Sequence, residues 1–177
     1  MNANRISMFK RIRAKKFLLN GLFYLVIFFV LSQAISWWKS RDAFTGNLSE
    51  FNVELMDGSR FMISKYSGKP VLFHFWATWC PICDLQKGSV ESIAKDYPVI
   101  SIASWSEGSA EVKSYMQENE LKFPVMLDES GQLARYFGLK GVPASFILSP
   151  SGEIKFVETG YTTELGLRIR LWLSSIN

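Results

Sequence analysis

Val71-Leu72-Phe73-His74-Phe75-Trp76-Ala77-Thr78-Trp79-Cys80-Pro81-Ile82-Cys83 is the stretch around which the rest of the chain is arranged. Its first half is an apolar run rich in aromatic and β-branched residues, the pattern of a buried strand. Its second half is a Cys-x-x-Cys that opens a helix. The N-terminus of a helix carries unpaired N–H groups and a partial positive charge. A thiol placed there loses its proton more easily, and the thiolate is the nucleophile of disulfide exchange. A second cysteine one turn on can attack the resulting mixed disulfide. Cys80 is therefore the expected attacking thiol, more acidic and more accessible, and Cys83 the resolving one. They are the only two cysteines in 177 residues.

The same spacing is half of a zinc site. Zinc takes four ligands, usually Cys and His, and the single histidine, His74, lies inside the apolar strand. A zinc centre would have to be shared between two chains. A purely structural disulfide would close a very short loop and constrain the unfolded chain little.

Upstream, charge is unevenly distributed. Arg5, Lys10, Arg11, Arg13, Lys15 and Lys16 precede residue 17 with no acid among them. Removing those six from the 20 basic residues leaves 14 against 16 acidic ones, so the body is slightly acidic and the basic character belongs to the tail. That removes the case for nucleic-acid binding by the folded part. Phe17 to Trp38 is a 22-residue span without a charge. About 20 apolar residues cross a membrane as a helix. The preceding Lys/Arg cluster predicts a cytoplasmic N-terminus, and Trp37-Trp38 suit the far interface. The alternative is a cleaved signal peptide, with small residues at Ser32-Gln33-Ala34; the length of the span favours an anchor. The expected organisation is a basic tail over residues 1–16, an anchor over 17–38, a polar tether over 39–49 and one folded domain over 50–177.

Within the domain, Phe51 to Met56 and Arg60 to Ile63 alternate around Asp57-Gly58, a hairpin signal. Ser67-Gly68-Lys69-Pro70 turns into the central strand. Asp84 to Tyr97 carries Leu85, Val90, Ile93 and Ala94 near helical spacing and stops at Pro98. Val99 to Ala103 is a second core strand, Ser109 to Glu118 a helix, Phe123 to Leu127 a strand, and Gln132 to Phe137 a short helix. Ser145 to Leu148 and Ile154 to Glu158 form a hairpin about Pro150-Ser151-Gly152. The last segment reads two ways. Leu167 to Leu173 alternates like a strand, whereas Leu165, Ile169, Trp172 and Leu173 share a helical face and Thr162 or Thr163 can cap it. A helix is expected, because the sheet needs one there to cover its face. Strands interleaved with helices imply an α/β domain with a central mixed sheet flanked by helices.

The run from Val71 to Cys83 resembles the thioredoxin superfamily, whose strand enters a Trp-Cys-x-x-Cys turn. Phe75-Trp76-Ala77-Thr78-Trp79-Cys80 is most similar to its bacterial, membrane-anchored, extracytoplasmic TlpA/ResA branch, which includes the cytochrome c maturation thioredoxins. Gly141-Val142-Pro143 matches the superfamily's cis-proline loop. Gly160 to Glu164, with Gly166-Leu167-Arg168 and Arg170 to Leu173, is similar to the suppressor-of-copper-sensitivity protein D type. The likeness runs from about Leu48 to Leu173 and implies a thioredoxin-like fold. It also implies that the Pro143 loop faces the dithiol, that the Val142 backbone pairs with an extended substrate chain by β-addition, and that Trp79 shapes the surface beside the attacking sulfur. Trp76 is expected in the core. Thioredoxins carry a buried acid where this chain has His74. The departure leaves His74 either a hydrogen-bonded core residue or a proton relay near Cys83.

The expected function is a membrane-anchored, extracytoplasmic thiol–disulfide oxidoreductase of the bacterial inner membrane, single-pass, with its domain in the periplasm. The resemblance implies reductive work linked to copper stress. The dithiol carries two electrons itself, so neither cofactor nor metal is needed. The expected partners are substrate proteins and a membrane redox protein that resets the dithiol. The alternatives are a dedicated thioredoxin of cytochrome c maturation and, from another class, a Cu(I)-binding module at Cys80 and Cys83, since Cu(I) suits thiolates. Glu107, Glu111, Glu118 and Glu120 read as a solvated helix face.

Overall fold

The computed structural model describes residues 43–176, together with Asn20, Gly21, Phe23, Tyr24, Val26 and Ile27. Those six are helical, and the expected anchor otherwise lies outside the described residues. Among the described residues no helix is long and apolar enough to cross a membrane.

The strands are β1 (Asn52–Glu54), β2 (Arg60–Met62), β3 (Val71–Trp76), β4 (Val99–Ser104), β5 (Val125–Asp128), β6 (Ala144–Leu148) and β7 (Ile154–Thr159). The helices between and after them are α1 (Pro81–Ile93), α2 (Ser109–Glu118), α3 (Gln132–Tyr136) and α4 (Glu164–Ile176). One five-stranded sheet has the order β5-β4-β3-β6-β7. β3 pairs parallel with β4 and antiparallel with β6, so the sheet is mixed. β1 and β2 form a separate hairpin. Its turn is longer than the Asp-Gly pair suggests: Leu55 N–H donates to the Ser59 carbonyl (2.8 Å), and Asp57 Oδ1 accepts from Ser59 N–H (2.9 Å).

All six residues of β3 are buried. Alternation sends Val71, Phe73 and Phe75 to one face and Leu72, His74 and Trp76 to the other. On the first face Phe75 meets Phe137 (ring centroids 5.1 Å apart) and Phe146 (5.6 Å), under α3 and the β1–β2 hairpin. Each such buried ring contributes roughly 1.5–3 kcal/mol. On the second face Leu72 and Trp76 pack with Cys83, Val90 and Ile93 of α1, Val112 and Met116 of α2, and Leu167 and Leu171 of α4. Trp76 is thus a core residue, set against Tyr115 (5.2 Å).

Two helices bury a different stripe from the one hydropathy selects. In α1 the buried residues are Cys83, Gln86, Val90 and Ile93, while Leu85 is exposed. In α4 they are Leu167, Leu171 and Ser174, while Leu165, Ile169, Trp172 and Leu173 face outward. In both cases a small or polar residue completes the inward stripe at helical spacing. With this rotation Arg168 reaches Asp96 (2.8 Å) as well as Glu164 of its own helix, and Arg170 reaches Glu158 of β7 (2.5 Å).

Residues 43–49, inside the expected tether, lie against the domain. Phe44 N–H donates to the Phe137 carbonyl (3.0 Å) and Leu48 N–H to the Gly152 carbonyl (2.7 Å). Gly152 (φ +80°) has no room for a side chain there, since a Cβ would fall 2.7 Å from the Ser49 nitrogen.

Leu171→Ala is expected to lower the unfolding free energy by about 2–5 kcal/mol. Trp172→Ala, at a position 57% exposed, should change it by no more than about 0.5 kcal/mol. Urea titration of both variants distinguishes the two faces; equal losses would contradict the described rotation of α4.

Candidate active site at the start of α1

β3 ends at Trp76, and three residues later the chain turns into α1 with Cys80 as its N-cap and Pro81 at its first position. Proline suits that position because its missing N–H would have had no partner and its φ is already helical. The cap is made by sulfur: Cys83 N–H donates to Cys80 Sγ (3.2 Å). Cys80 and Cys83 are joined as a disulfide. Cys80 Sγ lies 3.6 Å from the Val142 carbonyl oxygen. Of the two thiols, Cys80 is expected to be the more accessible when the pair is reduced. In this oxidised state Cys80 is 4% exposed and Cys83 2%, with the Val142 carbonyl against the Cys80 sulfur.

Val142-Pro143 is a cis peptide bond. Pro143 is buried and Val142 half-buried. The Pro143 carbonyl accepts from Gly160 N–H (2.8 Å), which ties this turn to the end of β7. Trp79 is 59% exposed. Its indole N–H is nevertheless bonded to the Trp105 carbonyl (2.7 Å). The structure thus brings Cys80, Cys83, Trp79, Val142 and Pro143 into one place.

His74 is elsewhere in the network. It is buried, and its Nδ1 lies 3.0 Å from Ser145 Oγ on the neighbouring strand. Burial pushes its pKa down to about 4 from the usual 6.5. Its hydrogen bond goes to Ser145 and to neither cysteine.

Several residues at the site escape a reading based on motifs. Glu111, placed above on a solvated face, accepts from Thr78 Oγ1 (2.6 Å) and from Glu107 N–H (2.6 Å). Ser106 Oγ accepts from Thr78 N–H (3.2 Å). Gln86, one turn beyond Cys83, is fully buried with neither amide atom bonded to a protein partner. Asp84, exposed on the first turn of α1, is held below the usual carboxylate range by Lys87 and then by Tyr115. The Thr78–Glu111 pairing joins residues 33 apart, and only the sheet order brings them together. Among the described residues no group of three or more His, Cys, Asp or Glu side chains could hold a metal ion.

A family model described as AhpC/TSA matches residues 46–157, which include both cysteines and the Val142–Pro143 turn. The chain belongs to the AhpC/TSA family. It is similar to a thioredoxin-like protein of Haemophilus influenzae, at 29% identity over 92% of this chain and 97% of the relative. It is similar to the thiol-disulfide oxidoreductase ResA of Bacillus cereus, at 25% identity over 75% of this chain and 84% of that one. Among solved structures, a thioredoxin-family thiol:disulfide interchange protein of Chlorobium tepidum superimposes with a TM-score of 0.65 at 26% identity, covering 76% of this chain and 99% of that one. An exposed lipoprotein thioredoxin of Streptococcus pneumoniae does so with a TM-score of 0.62, also at 26% identity, covering 70% and 98%. The fold of this family member is thioredoxin-like. The enzyme is a thiol–disulfide oxidoreductase, in agreement with the names its relatives carry.

Between pH 6.5 and 4 the unfolded His74 imidazole binds a proton that the folded one does not. Stability therefore falls as pH is lowered through that window, by about 3 kcal/mol in total from this group. His74→Gln should remove this component without touching the dithiol. Denaturant midpoints at pH 7, 5.5 and 4.5 measure it; an unchanged slope in the variant would mean that His74 is not held neutral by the fold.

Proposed function

We propose that this chain is a membrane-anchored, extracytoplasmic enzyme that reduces protein disulfides through Cys80-Pro81-Ile82-Cys83. The observation that carries the reading is the Cys83 N–H directed at Cys80 Sγ, at a helix start and beside the Val142 carbonyl. In the reduced form that N–H and the helix dipole stabilise a Cys80 thiolate. Cys80 attacks one sulfur of a substrate disulfide; that S–S bond breaks and the departing thiolate takes up a proton. The Cys83 thiolate then attacks Cys80 Sγ and displaces the second substrate sulfur. Two electrons pass to the substrate, and the enzyme is left with the disulfide described above. A membrane redox partner returns the two electrons.

Val142 and Pro143 form the edge on which an extended substrate chain lies, and Trp79 flanks it. His74 serves the core in this reading. A base with a pKa of about 4 holds a proton poorly beside a thiol whose own value is about 8.5. The charge-free span from Phe17 to Trp38 after a basic tail supports the anchor over residues 17–38 and the folded domain beyond it. The name of the pneumococcal relative, an exposed lipoprotein, is in keeping with work outside the cytoplasm. The C-terminal likeness to the suppressor-of-copper-sensitivity protein D type supports the reductive direction and a link to copper stress.

Cys83→Ala is expected to accumulate mixed disulfides between Cys80 and extracytoplasmic proteins, seen as thiol-sensitive bands on non-reducing gels. Cys80→Ala should give none. Trapping on Cys83 instead would reverse the two roles. For topology, a reporter that is active only in the cytoplasm, fused after Asn177, should be silent.

A further inference from the structure

The loop that follows β4, Trp105 to Gly108, and the first turn of α2 hold the active-site turn from one side. Thr78 N–H donates to Ser106 Oγ, Thr78 Oγ1 to Glu111, and Trp79 Nε1 to the Trp105 carbonyl. Trp105 adopts φ +56°, a left-handed backbone that a bulky side chain rarely takes up. Such strain persists only where the surroundings impose it, and it clusters at functional sites. Here the imposing parts are visible. Trp105 N–H donates to the Asp128 carbonyl (3.1 Å), and Gly131 N–H donates to the same oxygen (2.8 Å). The Asp128 carboxylate is buried and accepts from Ser104 Oγ (2.8 Å), Leu133 N–H (3.0 Å) and Ala134 N–H (3.0 Å). The Trp105 indole lies directly over Gly131, where a Cβ would fall 1.8 Å from its Nε1. Only glycine at 131 admits that ring.

This arrangement points the Trp105 carbonyl at the Trp79 indole. An indole N–H left at the surface would find water at little cost, so the bond adds little stability. What it does is fix the orientation of a large ring that stays 59% exposed beside Cys80. A ring ordered before contact spares a partner the cost of ordering it.

We propose that Trp105, seated on Gly131, is a positioning residue that sets substrate selectivity: it holds Trp79 as a rigid apolar plate that receives the polypeptide flanking a substrate disulfide. A small disulfide such as that of glutathione has a single residue on either side of each cysteine, too short a flank to cover the plate. The proposal rests on the thiol–disulfide exchange assigned to Cys80 and Cys83 above, and adds the class of substrate that the site prefers.

The test uses the full chain and two oxidised substrates, insulin and glutathione disulfide. Gly131→Ala displaces the Trp105 ring; Trp105→Gly removes the ring and relieves the strained φ; Trp79→Phe removes the N–H and keeps an aromatic. Each is expected to lower kcat/KM for insulin by about three- to tenfold, through KM, the scale set by ordering one large side chain. For the Gly131 and Trp105 variants the rate with glutathione disulfide should stay within about twofold. Gly131→Ala combined with Trp79→Phe should be no worse than the poorer single variant. Effects that multiply in the double variant, parallel losses with both substrates, or unchanged selectivity in folded Trp105→Gly would each overturn the proposal. Trp105→Gly decides the matter alone if Gly131→Ala does not fold. Wild-type protein that reduces neither substrate would instead defeat the oxidoreductase reading, leaving no selectivity to explain.

Discussion

A sulfur that is to give up its proton needs N–H groups around it, and a helix start supplies several at once. In this chain the requirement is met by one bond, from Cys83 N–H to Cys80 Sγ. Everything else about the fold serves to bring that helix start to a fixed point. β3 is the middle strand of the sheet, flanked by β4 and β6 and buried along its whole length. A strand so confined cannot slip, because a shift of one residue would exchange Phe73 and Phe75 for His74 on the apolar face. Its end therefore delivers Thr78, Trp79 and Cys80 to one position. β6, the other neighbour of β3, begins immediately after Pro143, so the same pairing brings Val142 to the sulfur.

The core is not uniformly apolar where it meets α1 and α4. Across three adjacent strands the sheet presents Ser101, His74 and Ser145 in register. Ser145 bonds the histidine, and Ser101 donates outside the row to the Pro124 carbonyl. A neutral imidazole costs little in such a setting and a charged one a great deal. Gln86 and Ser174 also turn inward on this side, with side-chain atoms that no protein group answers. The opposite face holds the Phe73, Phe75, Phe137 and Phe146 rings, and its own buried polar group is the Asp128 carboxylate bonded to Ser104.

The sequence made the strand, the dithiol, the order of elements and the helix over Ser109 to Glu118 legible, because each depends on local periodicity or on a turn residue. That order implies an α/β domain with a central mixed sheet, and the resemblance of the Val71–Cys83 run implies the thioredoxin-like arrangement of it. What it concealed was the inward stripe of α1 and α4. Gln86 and Ser174 are buried there and do not count as apolar, whereas Leu85 and Trp172 do count and are exposed. It also concealed the role of Glu111, one acid among several on a helix. Its bond to Thr78 exists only because β3 and β4 are neighbours. The grip of Trp105 on Trp79 runs through a backbone carbonyl, which no side-chain pattern announces. His74 was ambiguous for a different reason. Its residue type fits both a relay and a core, and only its partner on β6 favours the second.

An open sheet has two edges, and each is an invitation to another chain. Here both are obstructed by the first third of the domain. On the β5 edge, Met56 N–H takes the Val125 carbonyl (2.8 Å). On the β7 edge, Asn47 bridges Glu153, and Ile154 N–H donates to the Gly46 carbonyl (3.0 Å). Lys155 and Glu153 add paired charge along the same rim. The residues before β1 are thus more than a lead-in to the domain. They are the protein's own insurance against growing sideways into a neighbour, and a chain trimmed to begin at Glu50 would carry an uncovered margin that invites aggregation.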